Sequence, residues 1–152
     1  MGSGRGQEGA ARPEVTMRAA ADILPLGQSK GQVVLVCGGR DFSRRAVVFG
    51  ALRKMHDEQR IVLIVTGAAS GADELAEAWA RSSEIDYRGC PARWSQEGRA
   101  AGPRRNDRML GYLQSVRHGN AIRVVAFPGG RGTADMVRRA REAGIEVVEV
   151  RP

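Results

Sequence analysis

The fold class is decided by the stretch VVLVCGGRDF at residues 33–42. Its first five residues form an apolar run of strand length that is rich in β-branched side chains, and two glycines follow directly. A strand that is apolar at every position is typical of a sheet covered on both faces. The glycines predict a tight turn from that strand into a helix. The stretch therefore predicts one repeat of an α/β fold with a parallel sheet.

Further runs of this kind follow, and segments long enough for helices separate them. We predict strands at Val33–Cys37, Ile61–Thr66, Ile85–Cys90, Ile122–Phe127 and Ile145–Val150. With right-handed crossovers, this alternation predicts a Rossmann-like, doubly wound, parallel five-stranded sheet in a single α/β domain, in the order 3-2-1-4-5. The third strand carries Asp86 and Arg88, so we expect it to lie at an edge.

The four segments between the strands carry apolar residues at helical spacing. These are Val48, Leu52 and Met55; Ala72, Leu75, Ala76 and Trp79; Met109, Leu113 and Val116; and Met136, Val137 and Ala140. The third helix is predicted to begin at Pro103, after a long loop that contains Trp94, because proline suits the first turn of a helix. For Trp94 we favour a position that seals this loop against the core over one that stacks on a base.

Residues 1–30 differ in composition from the rest of the chain. They contain Gly, Ala, Ser and charges of both signs without sustained periodicity, so we expect a disordered or loosely docked leader. Residues 31–152 form the predicted domain. No run approaches the roughly 18 apolar residues that a membrane span needs, and the leader lacks the pattern of a signal peptide. We therefore expect a cytoplasmic protein without a membrane partner.

Charge and cysteine content narrow the choice of partners. The chain has 24 Lys and Arg against 17 Asp and Glu, a net charge of +7 that attracts phosphate chains. Because 22 of the 24 are Arg and are spread along the chain, this charge is a weak indication of nucleic-acid binding. The two Cys and two His are distant from one another in sequence, so we predict neither a metal nor a cofactor. Cys37 and Cys90 are predicted to be free thiols, and Cys37 is not expected to be a nucleophile.

Three glycine-rich turns are the most informative feature. They follow the first, second and fourth predicted strands as CGGRDF (37–42), TGAASGAD (66–73) and PGGRGT (128–133). Glycine lets the backbone approach a ligand closely, and the first turn of the following helix offers free N–H groups and a positive dipole end. That combination binds phosphate. In the order 3-2-1-4-5 the first and third turns flank the crevice where such sheets bind ligands. We predict a nucleotide site there; the alternative is that the glycines serve turn geometry only.

The predicted ligand contacts include two side chains that come shortly after Pro103, Arg105 and Asn106. A guanidinium grips phosphate and an amide reads a sugar or base edge; the alternatives are a surface arginine and a capping asparagine. The full predicted set is Gly38, Gly39, Arg40, Asp41, Gly67, Ser70, Gly71, Asp73, Arg105, Asn106, Pro128, Gly129, Gly130, Gly132 and Thr133. No G-x-G-x-x-G follows the first strand and the G-x-x-x-x-G-K-[ST] of a P-loop is absent, which weighs against dehydrogenase or ATPase chemistry.

Four motifs together resemble the YspA (YpsA-related) branch of the SLOG superfamily. They are CGGRDF (37–42), TGAASGADELA (66–76), AGPRRNDRML (101–110) and FPGGRGTADM (127–136). The superfamily also contains the Lonely Guy phosphoribohydrolases and the DNA-processing protein DprA. The resemblance runs from Val33 to Val150 and implies a Rossmann-like domain that binds nucleotides or nucleotide-derived ligands. Because Lonely Guy proteins are dimers, it also implies a homodimer.

The resemblance bears on catalysis as well. Lonely Guy enzymes use an Arg and a Glu that ends the motif P-G-G-x-G-T-x-x-E. Arg105 is similar in placement to that Arg, but Met136 stands where the Glu is expected. Arg105 and Asp135 are therefore the catalytic candidates, although Asp135 is one residue off the motif. Asp41 and Asp73 are the other carboxylates that could replace the Glu, or could instead bind a ribose or cap a helix.

Three functions stay open at this point. A sensor or binding module for a nucleotide-derived small molecule is favoured, because the phosphate-type turns are intact while the expected Glu is missing. The second is a phosphoribohydrolase-like hydrolase that cleaves nucleoside monophosphates. The third is a DprA-like single-stranded nucleic-acid binder, which ranks last because the chain has only seven aromatic residues on which bases can stack.

Overall fold

The computed structural model describes residues 30–151, and a parallel sheet forms the centre of this part. Its strands are β1 (Gln32–Cys37), β2 (Ile61–Thr66), β3 (Asp86–Gly89), β4 (Ala121–Ala126) and β5 (Glu146–Glu149). Their order is β3-β2-β1-β4-β5, and all neighbouring pairs are parallel. The predicted Rossmann-like α/β fold and its strand order are confirmed. The predicted leader lies outside the described residues, apart from Lys30.

Helices cover both faces of the sheet. They are α1 (Arg45–Glu58), α2 (Ala72–Ser82), α3 (Trp94–Glu97), α4 (Ala101–Ser115) and α5 (Arg131–Glu142). One core cluster joins α1 and α2 to Val34 and Val36 of β1, and the other joins α4 and α5 to Val33 and Leu35. Successive side chains of a strand point to opposite faces, so both sets of β1 residues are buried. This arrangement explains why β1 is apolar without interruption.

The helical stripes pack on the sheet as predicted. Most of their members are buried, and Leu75, Val116 and Val137 are partly buried against the same two clusters. The polar third strand lies at an edge, also as predicted, with Asp86, Tyr87 and Arg88 exposed. Among residues 30–151, no helix combines the length and the apolar character needed to cross a membrane.

The segment after β3 differs from the predicted long loop. It contains the short helix α3 and a 3-10 turn at Gly98–Ala100, and α4 begins at Ala101 rather than at Pro103. Pro103 is still in the first turn of α4, where backbone N–H groups have no acceptor within the helix and a proline costs nothing. Proline at this position therefore indicates the start of a helix to within one turn. The prediction that Ala101 and Gly102 belong to a loop was wrong, because both lie in α4.

Gly71, which directly precedes α2, lies against the turn that follows β1, and its substitution tests this contact. Its φ of 76° and ψ of −126° suit glycine, and a Cβ there would overlap the carbonyl oxygen of Gly39. We expect Gly71→Ala to lower the free energy of unfolding by about 2–4 kcal/mol, through backbone strain and overlap together. Urea denaturation followed by circular dichroism measures this change.

Gly50→Ala is the matched control for that substitution. Gly50 lies inside α1, and no atom lies within 4 Å of the position its Cβ would take. Alanine there should raise the free energy of unfolding by about 0.5–1 kcal/mol, because glycine is a poor helix former. If Gly71→Ala were as well tolerated as Gly50→Ala, the close contact between the turns would be refuted.

Candidate functional site

The carboxyl ends of β1, β2 and β4 bring the three glycine-rich turns into direct contact. The N–H of Gly39 donates to the carbonyl of Pro128 at 2.8 Å, and the N–H of Ala72 donates to the carbonyl of Gly39 at 3.1 Å. The hydroxyl of Ser70 donates to the carbonyl of Arg40 at 3.0 Å. The first turn thus lies between the second and the third, at the point where the strand order reverses.

Most of the predicted glycines serve these contacts between turns. A Cβ on Gly38 would lie 2.6 Å from Cβ of Ala72, and one on Gly129 would lie 2.7 Å from the nitrogen of Gly39. A Cβ on Gly67 would overlap the guanidinium of Arg105. The contacts of Gly38, Gly71 and Gly129 with neighbouring turns leave no room for a side chain, so turn geometry accounts for these three without a ligand. Gly67 instead makes room for the side chain of Arg105.

Gly130 and Gly132 differ from the other glycines of the turns. Apart from the adjoining residues and, for Gly132, the backbone of its own helix, no atom lies within 4 Å of the position that a Cβ would take at either residue. Gly130 is the N-cap of α5, and no side chain caps the N–H groups that follow it. Free N–H groups, a positive dipole end and a backbone without side chains are what a phosphate needs. Open space at these two glycines is therefore the observation that points to a ligand.

A groove of about 600 Å³ lies beside this helix start. It is bordered by the first and third turns, which contribute Asp41, Phe42, Ser43, Arg44, Pro128, Gly129 and Gly130. The predicted ligand contacts do not include Phe42, the last residue of the first turn, or Ser43 and Arg44, which directly follow it. A second groove of about 750 Å³ runs along α5 and β5 and also reaches Gly130. Its two glutamates, Glu142 and Glu149, are paired with Arg138 and Arg141, which line the groove as well.

Arg105 and Asn106 connect α4 to the second and third turns. Arg105 Nη1 donates to the carbonyl of Gly67 at 2.6 Å, and its Nε donates to Asn106 Oδ1 at 3.1 Å. Asn106 is buried, and its Nδ2 donates to the carbonyl of Gly132 at 3.1 Å and to Asp135 Oδ2 at 2.9 Å. Neither of the alternatives considered, a surface arginine and a capping asparagine, describes these residues. Two bonds still leave three of the five guanidinium N–H groups of Arg105 for a ligand.

Asp135 is held in a network of ion pairs and hydrogen bonds. Besides Asn106, it accepts Arg138 Nη2 at 2.9 Å and Arg139 Nε at 2.8 Å. Partial burial opposes ionisation, but the hydrogen bonds from Asn106, Arg139 and Arg138 outweigh it and hold the pKa of Asp135 below its ordinary value. A carboxylate with this pKa is a poor proton donor, and its oxygens are occupied. Met136, at the motif position of the Lonely Guy Glu, is fully buried in the core.

Asp73 accepts hydrogen bonds from the backbone of the second turn. The side chain is buried, and its Oδ2 accepts the N–H of Gly67 at 3.0 Å and that of Ala69 at 3.3 Å. Burial raises the pKa of Asp73 to about 6, against the lowering effect of these hydrogen bonds and of the Arg105 charge. Asp73 and Arg105 thus bond to the N–H and the carbonyl of the same residue, Gly67.

The other predicted ligand contacts and the two cysteines differ in their exposure to solvent. Arg40 and Asp41 are exposed at the first turn, and Thr133 is half-buried in the first turn of α5. Cys37 is buried, and burial raises the pKa of its thiol to about 12, so it is no nucleophile at neutral pH. Both Cys37 and Cys90 are free thiols, as predicted.

Trp94 contradicts the prediction that it seals a loop against the core. It is 48% exposed, and the guanidinium carbon of Arg40 lies 5.0 Å from the centre of its ring. The first residue of α3 carries this side chain outward, because the segment is helical and not the loop that was expected.

Comparison with known proteins agrees with this architecture. A sequence model of the YspA, cpYpsA-related SLOG family matches residues 32–96. The Gene 61 protein of Mycobacterium phage D29 is 34% identical over 123 residues, which cover 76% of this chain and 93% of the phage protein. The chain belongs to the YspA, cpYpsA-related SLOG family. This membership supports a nucleotide-related role, in binding or in hydrolysis.

A solved structure shows the same fold. The crystal structure of TM1055 superposes with a TM-score of 0.55 at 18% identity, over 77% of this chain and 72% of that one. At this identity the likeness concerns the fold alone. The family match ends at residue 96, before Arg105, Asn106 and the third turn, so the geometry described above is what relates those residues to the first two turns.

The raised pKa of Asp73 predicts a pH dependence of stability. The folded protein binds the proton of this carboxyl more tightly than the unfolded chain, whose carboxyl has the ordinary value of 3.8. The free energy of unfolding should therefore gain from Asp73 as the pH falls through 6, with the full gain present below pH 3.8 and lost again as the pH rises. At about 1.36 kcal/mol per pKa unit, the full gain is on the order of 3 kcal/mol.

The control is Asp73→Asn, which keeps an acceptor oxygen and cannot ionise. Urea denaturation of both proteins at several pH values between 7.5 and 5 measures the difference. We expect the stability of the wild type relative to the variant to increase as the pH falls. A difference that stays constant across this range would mean that Asp73 has an ordinary pKa.

Proposed function

We propose that the protein binds a nucleotide or nucleotide-derived small molecule, with the phosphate at the first turn of α5, and that it acts as a sensor or binding module. The observation that carries the proposal is the open space at Gly130 and Gly132, beside N–H groups that no side chain caps. The other glycines of the turns have close neighbours that leave little room for a Cβ, whereas the space into which a Cβ of Gly130 or Gly132 would point is open. Family membership in the SLOG superfamily supports the same class of ligand.

The hydrogen bonds of Arg105 and Asn106 favour a phosphate at this position. Asn106 bonds to the carbonyl of Gly132, so it holds the first turn of α5 in place. Arg105 is bonded to Asn106 and keeps N–H groups for an anion. A positively charged group next to a helix start adds to the attraction for phosphate, because both the dipole and the full charge act on it.

Binding without turnover is favoured by the state of the carboxylates. Glycosidic hydrolysis needs a carboxylate near the anomeric carbon, either to stabilise positive charge or to activate water. Asp135 is occupied by Asn106 and two arginines, and the Oδ2 of Asp73 is bonded to the second turn. Met136 supplies no carboxylate at all. These three facts argue against the roles that Lonely Guy chemistry would assign.

A hydrolase is the second candidate, and Asp41 is the reason for it. Asp41 is exposed and lines the 600 Å³ groove together with Gly129 and Gly130, so its carboxylate can reach a ligand whose phosphate lies at α5. It can accept a ribose hydroxyl or act as the missing base. Assembly as a homodimer, and binding of single-stranded nucleic acid as a third function, stay predictions.

Gly132→Ala tests the phosphate position without damaging the fold. The methyl group meets no protein atom within 4 Å outside the adjoining residues and the backbone of its own helix, so stability should be unchanged or slightly raised. We expect the variant to bind a 5′-mononucleotide at least about 10-fold more weakly, because hydrogen bonds to a charged group are worth about 1.5–3 kcal/mol and depend on close approach. Isothermal titration calorimetry measures the affinity.

Gly111→Ala serves as the control, because Gly111 lies in α4 and also has open space around it. Its affinity should equal that of the wild type. If Gly132→Ala binds as tightly as Gly111→Ala, the phosphate lies elsewhere and the proposal is wrong.

Incubation of the wild type with AMP, other mononucleotides, ADP-ribose, NAD and cyclic nucleotides separates the two candidates. Thermal shifts report binding, and mass spectrometry of each supernatant reports product; a ligand at 100 times its Kd adds about 2.7 kcal/mol to stability. We expect shifts without product. Release of free base that Asp41→Asn abolishes would establish the hydrolase instead.

A further inference from the structure

Trp94 is the one large aromatic side chain that lies exposed at the ligand-binding edge within the described residues. It is 48% exposed, and the only other exposed large hydrophobic side chain in residues 30–151 is Tyr87, which lies on the edge strand β3. Leaving an indole ring half in water forgoes the gain from burying it. The ring is nevertheless held in place from one side, since Arg40 lies 5.0 Å from its centre.

The backbone of Arg40 is anchored, so the ring has a defined neighbour. The carbonyl of Arg40 accepts the hydroxyl of Ser70, and Gly71 packs against the same peptide. Arg40 follows Gly39, which is bonded to Pro128 of the third turn. Trp94 is thus connected through Arg40 and Gly39 of the first turn to the turn that precedes α5.

Helix α4 sets the separation between Trp94 and the proposed phosphate position. The Cη2 atom of Trp94 lies 3.5 Å from where a Cβ of Gly102 would be, and Asn106 bonds to the carbonyl of Gly132. Gly102 and Asn106 are four residues apart on the same face of α4, about 6 Å along its axis. The ribose of a nucleotide can bridge a gap of this size.

Charge around the ring favours an anionic ligand. Burial lowers the pKa of the Arg105 guanidinium, Asp73 opposes this, and the nearby charges of Arg40 and Arg108 lower it further. Arg40 and Arg105 are therefore close enough to repel each other. An anion between Trp94 and α5 would relieve this repulsion.

We propose that Trp94, with Arg40, forms the base-binding wall of the site, so that the ligand is a base-bearing nucleotide whose base stacks on the indole ring while its phosphate lies at the first turn of α5. This inference rests on the proposed function and adds the part of the ligand that the glycine turns do not recognise. Stacking on an aromatic ring is tolerant of base identity, because every base has a π face. The wall therefore selects nucleotides over sugar phosphates and discriminates weakly among bases.

The test compares three proteins: the wild type, Trp94→Ala and Tyr87→Ala. Tyr87 is the matched control, because it is also an exposed ring with an arginine over it, Arg81 at 5.6 Å, but lies on β3. Each protein is titrated calorimetrically with AMP and with ribose 5-phosphate. Trp94→Phe is added as the conservative variant, since it keeps a ring at the same place.

We expect the wild type and Tyr87→Ala to bind AMP at least about 10-fold more tightly than ribose 5-phosphate, in line with the contribution of one stacked base. Trp94→Ala should lose this preference while its affinity for ribose 5-phosphate is unchanged, and Trp94→Phe should recover most of it. Indole fluorescence gives an independent readout: AMP should quench the exposed Trp94, whereas the second tryptophan, Trp79, is buried.

Two results would overturn the inference and leave the proposed function standing: equal affinity of the wild type for AMP and ribose 5-phosphate, or a Trp94→Ala variant that keeps the preference for AMP. A wild type that binds neither compound would refute the proposed function and this inference with it. Binding of a single-stranded oligonucleotide far more tightly than AMP, with dependence on Trp94, would overturn the assignment of a mononucleotide and make the ring a platform for a nucleic-acid strand.

Discussion

The N–H of Gly39 donates to the carbonyl of Pro128, and the carbonyl of Gly39 accepts the N–H of Ala72. One residue thus joins the turns that follow β1, β2 and β4, with no side chain between the backbones. Such contact is possible only where the facing residues lack a Cβ, which Gly38, Gly71 and Gly129 provide. The turns therefore form one connected backbone surface at the carboxyl edge of the sheet, and the side chains of the candidate site are positioned relative to it.

The glycines of the turns fall into two groups by the space around them. Those with close neighbours are explained by packing, whereas Gly130 and Gly132 have open space where a Cβ would be, and we propose that this space serves a ligand. The same division applies to the charged groups. Asp73 and Asp135 are bonded to the turns or to arginines and stabilise the site, whereas Arg40 and Asp41 are exposed above it. A binding site held by buried hydrogen bonds and lined by a few exposed groups is preorganised for a ligand.

Much of the fold could be predicted from the sequence, because it depends on patterns that are local. The apolar run of β1 requires helices on both faces, and the polar residues of β3 belong at an edge. The strand order also predicted that the first and third turns lie beside the same crevice, whereas the contact of the second turn with the first is seen only in the folded protein. What could not be predicted depends on distance in space: that Gly67 is packed against Arg105, 38 residues away, is visible only in the folded protein.

The prediction for Trp94 was wrong for a related reason. An aromatic residue in a presumed loop is expected to bury itself, but the loop is a short helix whose first residue carries the ring outward. Asp73 shows the opposite case. From the sequence, Asp73 could contact a ligand or cap a helix, and neither was favoured. The structure shows that it accepts hydrogen bonds from Gly67 and Ala69 of the second turn.

The most direct test of the central claim is a titration of ¹⁵N-labelled protein with AMP, followed by ¹H–¹⁵N correlation spectra. If the phosphate lies at the first turn of α5, the amide resonances of Arg131, Gly132 and Thr133 should shift early and most strongly, and they should saturate together. Shifts confined to the amides of residues 67–72, with those of α5 unchanged, would contradict the account, because the second turn would then be the one that binds phosphate.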